Sequence, residues 1–221
     1  MDWRAVIDST PALWQGLQVT LQLCVIAALC SLLGGALLAF LNRKANAFWR
    51  PILMLYSGLT LGLPLLVVIY LLYFVLPDYG ISLSSPVVGI SALTLYYSPY
   101  VAGVIRAAMQ AIPTGQREAC RTLGLSPLRT LFDVLLPQAL PQMLSPLVGL
   151  LIGLIKDSAL LSVVSVSEFM YAAKQAISET YAPLEIYLAV AVTYWVINTL
   201  IDTLARYVER RMTRYRQPAI K

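Results

Sequence analysis

Long apolar runs alternate with short polar segments along this chain. No charged residue lies between Arg50 and Asp78 or between Asp78 and Arg106. The same is true of the stretch from Asp133 to Lys156. A helix that crosses a bilayer needs roughly 20 mostly apolar residues, and a soluble core helix is seldom that long without a charge. The runs therefore predict membrane-spanning helices.

Five runs are long enough to be spans, and they cover residues 13–41, 52–76, 86–105, 143–166 and 184–207. The first far exceeds the apolar core of a cleaved signal peptide and follows acidic Asp2 and Asp8, which favours a retained span. The sequence predicts an all-α integral membrane protein with about five transmembrane helices, and residues 1–221 form a single transmembrane domain.

The positions of lysine and arginine predict the orientation, because short cytoplasmic loops are enriched in them. Thirteen of the 16 lie on one predicted side: Arg43, Lys44, Arg50, Arg106, Arg117, Arg121, Arg129 and six from Arg206 to Lys221. The other side holds Arg4 and Lys174, and Lys156 falls in the fourth run. The amino terminus is therefore expected outside and the carboxyl terminus inside.

Composition excludes several other classes. The chain is 59% hydrophobic and 12% charged, whereas soluble domains carry roughly a quarter charged residues. The net charge of +5 is explained by topology, which disfavours nucleic-acid binding. No histidine is present, and the cysteines show no disulfide or zinc spacing, so no metal site is predicted. No G-x-x-x-x-G-K-[ST] loop occurs, so any energised work needs ATP bound by another subunit.

A basic segment between the third and fourth runs carries several helix signals. Thr114 is a candidate N-cap, and Gly124 suits the left-handed position that ends a helix. Ser126 and Pro127 then predict a second helix that runs to residue 136. Pro137 and Pro141 are expected to break it. The prediction is a cytoplasmic helix-turn-helix loop over residues 107–142.

This loop has two interpretations on geometry alone and a weaker third. It resembles a docking element for a partner, and it equally suits an amphipathic loop that lies on lipid headgroups. A DNA-binding helix-turn-helix is the weaker alternative.

The stretch EACRTLGLSPLRTLFDVLLP, residues 118–137, resembles the E-A-A-x3-G-x9-I-x-L-P loop of bacterial ABC importer permeases. Cys120 replaces alanine and Val134 replaces isoleucine, with the spacing intact. In that family the loop sits in a groove on the cytoplasmic ATPase. The resemblance implies an ATPase-coupling role for eight residues: Arg117, Glu118, Ala119, Cys120, Arg121, Gly124, Leu136 and Pro137.

Two further patches resemble the polar amino-acid uptake family, which includes the histidine, glutamine and arginine types. GLQVTLQL, residues 16–23, is similar to its G-x-x-x-T-L opening, and LIKDSALLSVVSVSE, residues 154–168, is similar to its L-x-K-D-[ST]-S-L run. The resemblance implies a permease subunit of an amino-acid importer in a bacterial cytoplasmic membrane. Its implied partners are a second permease, a solute-binding protein and two ATPase subunits that bind ATP and magnesium.

One family patch departs from the pattern. Relatives show Y-x-E-x-x-R-G-T-P-L-L at the second span, and here Gly58 and Leu61 replace the acidic and basic positions. The joint loss avoids an unpaired charge in the membrane. Tyr56 and Pro64 still match and remain candidates for the substrate path, while Gly62-Leu63-Pro64 is expected to break the helix.

Lys156, Asp157 and Ser158 are the other candidates for the substrate path. Ionisable groups at membrane depth usually pair with each other or line a wet cavity. They could meet the ends of an amino acid, or they could brace helices against each other. Neighbouring residues point roughly 100° apart around a helix, so both charges cannot face one narrow pore. The nearby tyrosines 96, 97 and 100 are expected to pack or anchor rather than to line a pore.

Two other functional classes compete with the importer subunit. A secondary transporter or channel would need no ATPase, and such folds often show internal repeats and buried titratable groups. A membrane enzyme would need a nucleophile and base or a metal cluster, and neither is evident. Loss of transport without an ATPase separates the first class from the second. A solvated surface is the default expectation for the charged residues of the last external loop, Glu168, Lys174, Glu179 and Glu185. The resemblance alone implies the alternative, contact with a periplasmic solute-binding protein.

Overall fold

The computed structural model of the chain describes residues 3–213, so the last three basic residues of the predicted cytoplasmic tail lie outside the described range. Within that range every regular element is helical. The described residues form nine α-helices: α1 Trp3–Lys44, α2 Trp49–Gly62, α3 Leu65–Tyr70, α4 Ser85–Gln110, α5 Thr114–Thr122, α6 Pro127–Arg129, α7 Leu136–Asp157, α8 Phe169–Thr180 and α9 Pro183–Thr213.

Four helical segments are long and apolar enough to cross a membrane: Trp3–Arg43, Ser85–Gln110, Pro127–Val164 and Pro183–Met212. The bent pair Trp49–Gly62 and Leu65–Tyr79 gives a fifth span if it is counted as one. The predicted all-helical class is therefore confirmed, and the four to five candidate spans agree with the prediction of about five. The outside-to-inside orientation stays a prediction.

The second span is broken where the sequence predicts it. Leu63 is extended and Pro64 holds the N-cap position before α3, and the two halves are bent by 112°. Proline lacks an N–H and disfavours helical geometry in the residue before it, so the chain turns here. A π-helical turn, Leu71–Val75, and a 3-10 turn, Leu76–Tyr79, follow α3.

The helix after the basic corner differs from the expectation. Pro137 and Pro141 do not break it; α6, a π-helical turn at Thr130–Leu135 and α7 form one continuous segment. The π turn changes the hydrogen-bond register just before Pro137, where the missing N–H would otherwise leave a gap. The predicted end of the second loop helix at residue 136 is therefore wrong.

The main core lies where α1, α3, α4 and α7 meet. Ala27 of α1, Ile69 of α3 and Leu93 of α4 are completely buried there. Close approach of α1 and α4 depends on two glycines, since a Cβ on Gly34 would lie 2.5 Å from the Ser98 hydroxyl oxygen, and one on Gly35 would lie 2.5 Å from the Val101 Cβ. In a membrane, small residues allow the van der Waals contact that holds helices together.

Candidate coupling loop and transport path

The basic corner follows local rules at its turn. Gly124 has a φ of +70°, and the N–H of Leu125 donates to the Cys120 carbonyl at 3.0 Å. Such a 6→1 bond with a left-handed glycine satisfies carbonyls at a helix end. Ser126 then caps α6 by accepting from the N–H of Arg129 at 3.3 Å. Thr114 is the first residue of α5 and Pro113 holds the cap position, so the predicted Thr114 cap is wrong.

The eight predicted coupling residues do not share one environment. Glu118, Ala119, Arg121, Gly124 and Pro137 are exposed, whereas Leu136 is half-buried and Cys120 is buried. Arg117 is half-buried, and its guanidinium Nη2 donates to the Met109 carbonyl of α4 at 2.8 Å. Only five of the eight predicted coupling residues are therefore exposed at the surface.

Three large apolar side chains project from the same corner, and sequence reasoning did not single them out. Leu123 is 77% exposed, Leu128 69% and Phe132 58%. The same segment carries the exposed charges of Glu118 and Arg121. We call Leu123, Leu128 and Phe132 the apolar corner. Large apolar side chains exposed on a polar, charged segment are typical of an interaction surface.

The structure separates the adjacent predicted path residues Lys156, Asp157 and Ser158. Asp157 accepts a hydrogen bond from the Tyr97 hydroxyl at 2.8 Å, which joins α7 to α4. Ser158 is completely buried, and its hydroxyl donates to the Ile155 carbonyl at 2.8 Å. Lys156 is exposed and lines a groove of about 550 Å³ between α7 and α9, to which Asp202 also contributes.

Tyr56 and Pro64 lie on the two halves of the broken second span. The Tyr56 hydroxyl donates to the Leu95 carbonyl of α4 at 2.6 Å. Pro64 is exposed at the start of α3. Tyr56 therefore holds α2 against α4, and the bend at Pro64 directs α3 into the core.

Replacing Tyr97 with phenylalanine is expected to destabilise the protein by about 1–3 kcal/mol, because the half-buried Asp157 loses its donor. Thermal unfolding in detergent measures the change. In a double-mutant cycle with Asp157→Asn, we expect a coupling free energy of about 1 kcal/mol. Tyr79→Phe, at a 79% exposed tyrosine, is the control. Additive effects of the two core substitutions would contradict a bond between these side chains.

Two separate sequence patches meet where α1 contacts the start of α8. Gly16 lies so close to α8 that an added Cβ would lie 2.8 Å from the Ala172 Cβ. Thr20 Oγ1 accepts a hydrogen bond from the Phe169 N–H at 3.0 Å and lies 3.5 Å from Glu168 Oε2. Gly16 and Thr20, the two fixed residues of the G-x-x-x-T spacing, thus bring α1 into contact with Glu168 and the start of α8.

Glu168 is completely buried, so its expected solvation is wrong. Its carboxylate caps α8: Oε2 accepts from the Met170 N–H at 2.9 Å and Oε1 from the Tyr171 N–H at 2.7 Å. Burial raises the pKa of Glu168 to about 7, and the two backbone hydrogen bonds, Thr20 and the charge of Lys174 oppose this rise.

The other members of the predicted external loop are also placed by helices. Lys174 and Glu179 are exposed on α8, where the Lys174 ammonium donates to the Ser162 hydroxyl at 2.9 Å. Glu185, in the first turn of α9, is buried. The expected solvation therefore holds for Lys174 and Glu179 and is wrong for Glu185.

Several apolar spans and a projecting helical corner define a membrane-embedded transport subunit. The family of binding-protein-dependent transport system inner membrane components matches residues 31–214. The chain belongs to this family and is a multi-pass protein of the inner membrane.

Individual relatives cover almost the whole chain. A probable amino-acid permease protein of Bacillus subtilis (strain 168), YxeN, is 30% identical over 97% of each chain. The arginine transport system permease protein ArtQ of the same organism is 32% identical over 96% of this chain and 97% of its own. A crystal structure of an amino acid ABC transporter with histidines superposes with a TM-score of 0.89 at 32% identity, covering 96% of this chain and 99% of that one.

Proposed function

We propose that the chain carries a polar amino acid, or a close derivative, across the cytoplasmic membrane as the transmembrane subunit of an ABC-type importer. The chain itself is not an enzyme. Two ATPase subunits bind ATP and magnesium and drive transport, a second permease subunit completes the translocation unit, and a solute-binding protein delivers the solute. The amino-acid class is supported by relatives that are named for amino-acid transport.

The exposure of the apolar corner is the main support for the proposed ATPase partner. Leu123 and Leu128 are more than two-thirds exposed, on the same segment as the exposed charges of Glu118 and Arg121. A nonpolar centre with a charged rim is the usual anatomy of a protein interface. Coupling loop 107–142 is therefore the proposed docking element, in which Arg121 and Glu118 orient the partner while the leucines supply affinity.

The groove beside Lys156 supports the solute class. It places the Lys156 ammonium along a cavity of about 550 Å³, where the Asp202 carboxylate is already paired with Arg206. An amino acid carries one charge of each sign, so Lys156 is proposed to attract its carboxylate. Asp157 and Ser158 bond within the chain and support the walls of the path instead.

Leu123→Lys is expected to reduce recovery of the ATPase at least about tenfold, because hot-spot side chains at interfaces contribute about 2 kcal/mol or more. The tagged subunit is purified from its native host in mild detergent, and the bound proteins are identified. Ile81→Lys is the control, since Ile81 is 52% exposed and lies in the loop before α4, on the predicted outer side.

Equal recovery with Leu123→Lys would place the ATPase elsewhere on the chain. A wild-type preparation that transports solute without any ATPase would overturn the importer proposal in favour of a secondary transporter. In that case the corner would be a loop lying on the lipid headgroups.

A further inference from the structure

Arg117 differs from its neighbours on α5 because its charge is used inside the chain. Its Nη2 lies 2.8 Å from the Met109 carbonyl oxygen, and its Nε is buried. Glu118 and Arg121, on the same helix, are exposed. The guanidinium therefore faces the membrane domain rather than the surface proposed for the ATPase.

The acceptor of this bond lies at the carboxyl end of a spanning helix. Met109 belongs to the last turn of α4, which ends at Gln110. Carbonyls in a last turn lack intrahelical partners and carry partial negative charge. A bond from a cationic donor to such a carbonyl is stronger than a bond between neutral groups. Arg117 thus fastens α5 to α4 beyond the short connection at residues 111–113.

The helix α4 bonds two of the five predicted path residues, Tyr56 and Asp157, and also packs closely against α1. Its Tyr97 bonds Asp157 of α7, its Leu95 carbonyl accepts from Tyr56 of α2, and its Ser98 and Val101 lie against Gly34 and Gly35 of α1. A displacement of α4 would therefore move contacts with three other helices. Packed helices rearrange as units rather than deform continuously. A movement at the end of α4 would therefore be passed along α4 to the helices that it contacts.

We propose that Arg117 is a positioning residue that transmits movement of the coupling helix α5 to α4, and through α4 to the transport path. This role rests on the proposed importer function. For Arg117 alone, a contact inside the chain replaces the direct contact with the ATPase that the resemblance implies for the coupling loop. Without the bond, α5 could follow the ATPase while α4 stays in place, so ATP would be hydrolysed with less transport.

The test uses the whole transporter, co-purified with its ATPase and solute-binding protein and reconstituted in liposomes. Uptake of a radiolabelled mixture of the standard amino acids is divided by the ATP hydrolysed. Arg117→Met keeps the length of the side chain and removes its donors. Arg117→Lys keeps a charge and a donor, and Arg129→Met removes an exposed arginine from the same loop.

For Arg117→Met we expect wild-type recovery of the ATPase and uptake per ATP reduced about tenfold, the scale of a lost charged hydrogen bond. Arg117→Lys should restore the ratio to within about threefold of wild type, because a single donor replaces the planar fork. Arg129→Met should match wild type. A merely structural role would lower the folded yield and leave the ratio unchanged.

Four results would overturn the proposal. A wild-type ratio in folded Arg117→Met contradicts transmission, and loss of the ATPase from it makes Arg117 a docking contact. If Arg117→Met does not fold, Arg117→Gln with an unchanged ratio contradicts transmission in the same way. Failure of the wild-type protein to bind any ATPase overturns the proposed importer function as well. The other results overturn only the role of Arg117.

Discussion

Gly35→Val is expected to destabilise the protein by about 3 kcal/mol, because it overpacks the contact between two spanning helices. A Cβ at this position would lie 2.5 Å from Val101 Cγ1 and 2.9 Å from the Ser98 carbonyl oxygen. The second contact involves backbone, which cannot rotate away. The helices α1 and α4 would have to separate along the main core. Thermal unfolding in detergent and the monodisperse fraction on size exclusion measure the loss.

Gly58→Val provides the control for this experiment. It introduces the same β-branched residue into a helix, at a position where an added Cβ meets nothing within 4 Å. Its effect on helix propensity is therefore matched, and only the steric contact differs. Equal losses of stability in the two variants would show that the α1–α4 contact does not limit stability.

Glu168 is expected to make stability depend on pH. Its pKa is raised from 4.5 to about 7 in the folded protein. Between those values the folded chain holds a proton that the unfolded chain has released. The free energy of unfolding therefore falls as pH rises from about 4.5 to 7, by on the order of 3 kcal/mol, and stays level above pH 7.

Glu168→Gln should remove this slope, because the amide does not titrate and its oxygen still accepts one N–H from α8. Apparent melting temperatures across pH 5 to about 8 provide the measurement. Glu179→Gln, at an exposed glutamate of the same helix, should keep the wild-type profile. An unchanged slope in Glu168→Gln would assign the pH dependence to another group.

Glu168→Ala separates the capping role from the charge. It removes both acceptors and leaves the N–H groups of Met170 and Tyr171 without their side-chain partner. We expect a loss of about 1–2 kcal/mol at every pH, relative to Glu168→Gln, as is usual for an N-cap residue. If alanine and glutamine gave the same stability, the carboxylate would not stabilise the start of α8.

Features that depend on near neighbours could be predicted from the sequence. Long apolar runs identified the spans because a bilayer leaves the backbone few alternatives to helix. Pro64 predicted the break in the second span, and Gly124 with Ser126 and Pro127 predicted the corner. Each of these rules acts over a few residues. The motif at residues 118–137 indicated the family, because its spacing matches the helix, turn and helix of the coupling loop.

Local rules failed where a change of hydrogen-bond register compensates for the N–H that a proline lacks. Pro137 and Pro141 predicted a break, yet the π turn at Thr130–Leu135 absorbs the irregularity and the helix continues. From the sequence, a proline is expected to destabilise a helix. The sequence signals do not reveal that a neighbouring π turn compensates for the missing N–H. The second loop helix and the fourth span are consequently one segment.

The burial and the hydrogen-bond partners of the charged and polar side chains depend on contacts between distant parts of the chain. Glu168 reads as a solvated loop residue until α1 brings Thr20, 148 residues away, against it. The sequence does not reveal that Asp157 accepts a hydrogen bond from Tyr97 of α4, or that Arg117 donates one to the end of α4. Hydropathy and caps determine where helices form, whereas burial and partners exist only after the helices pack.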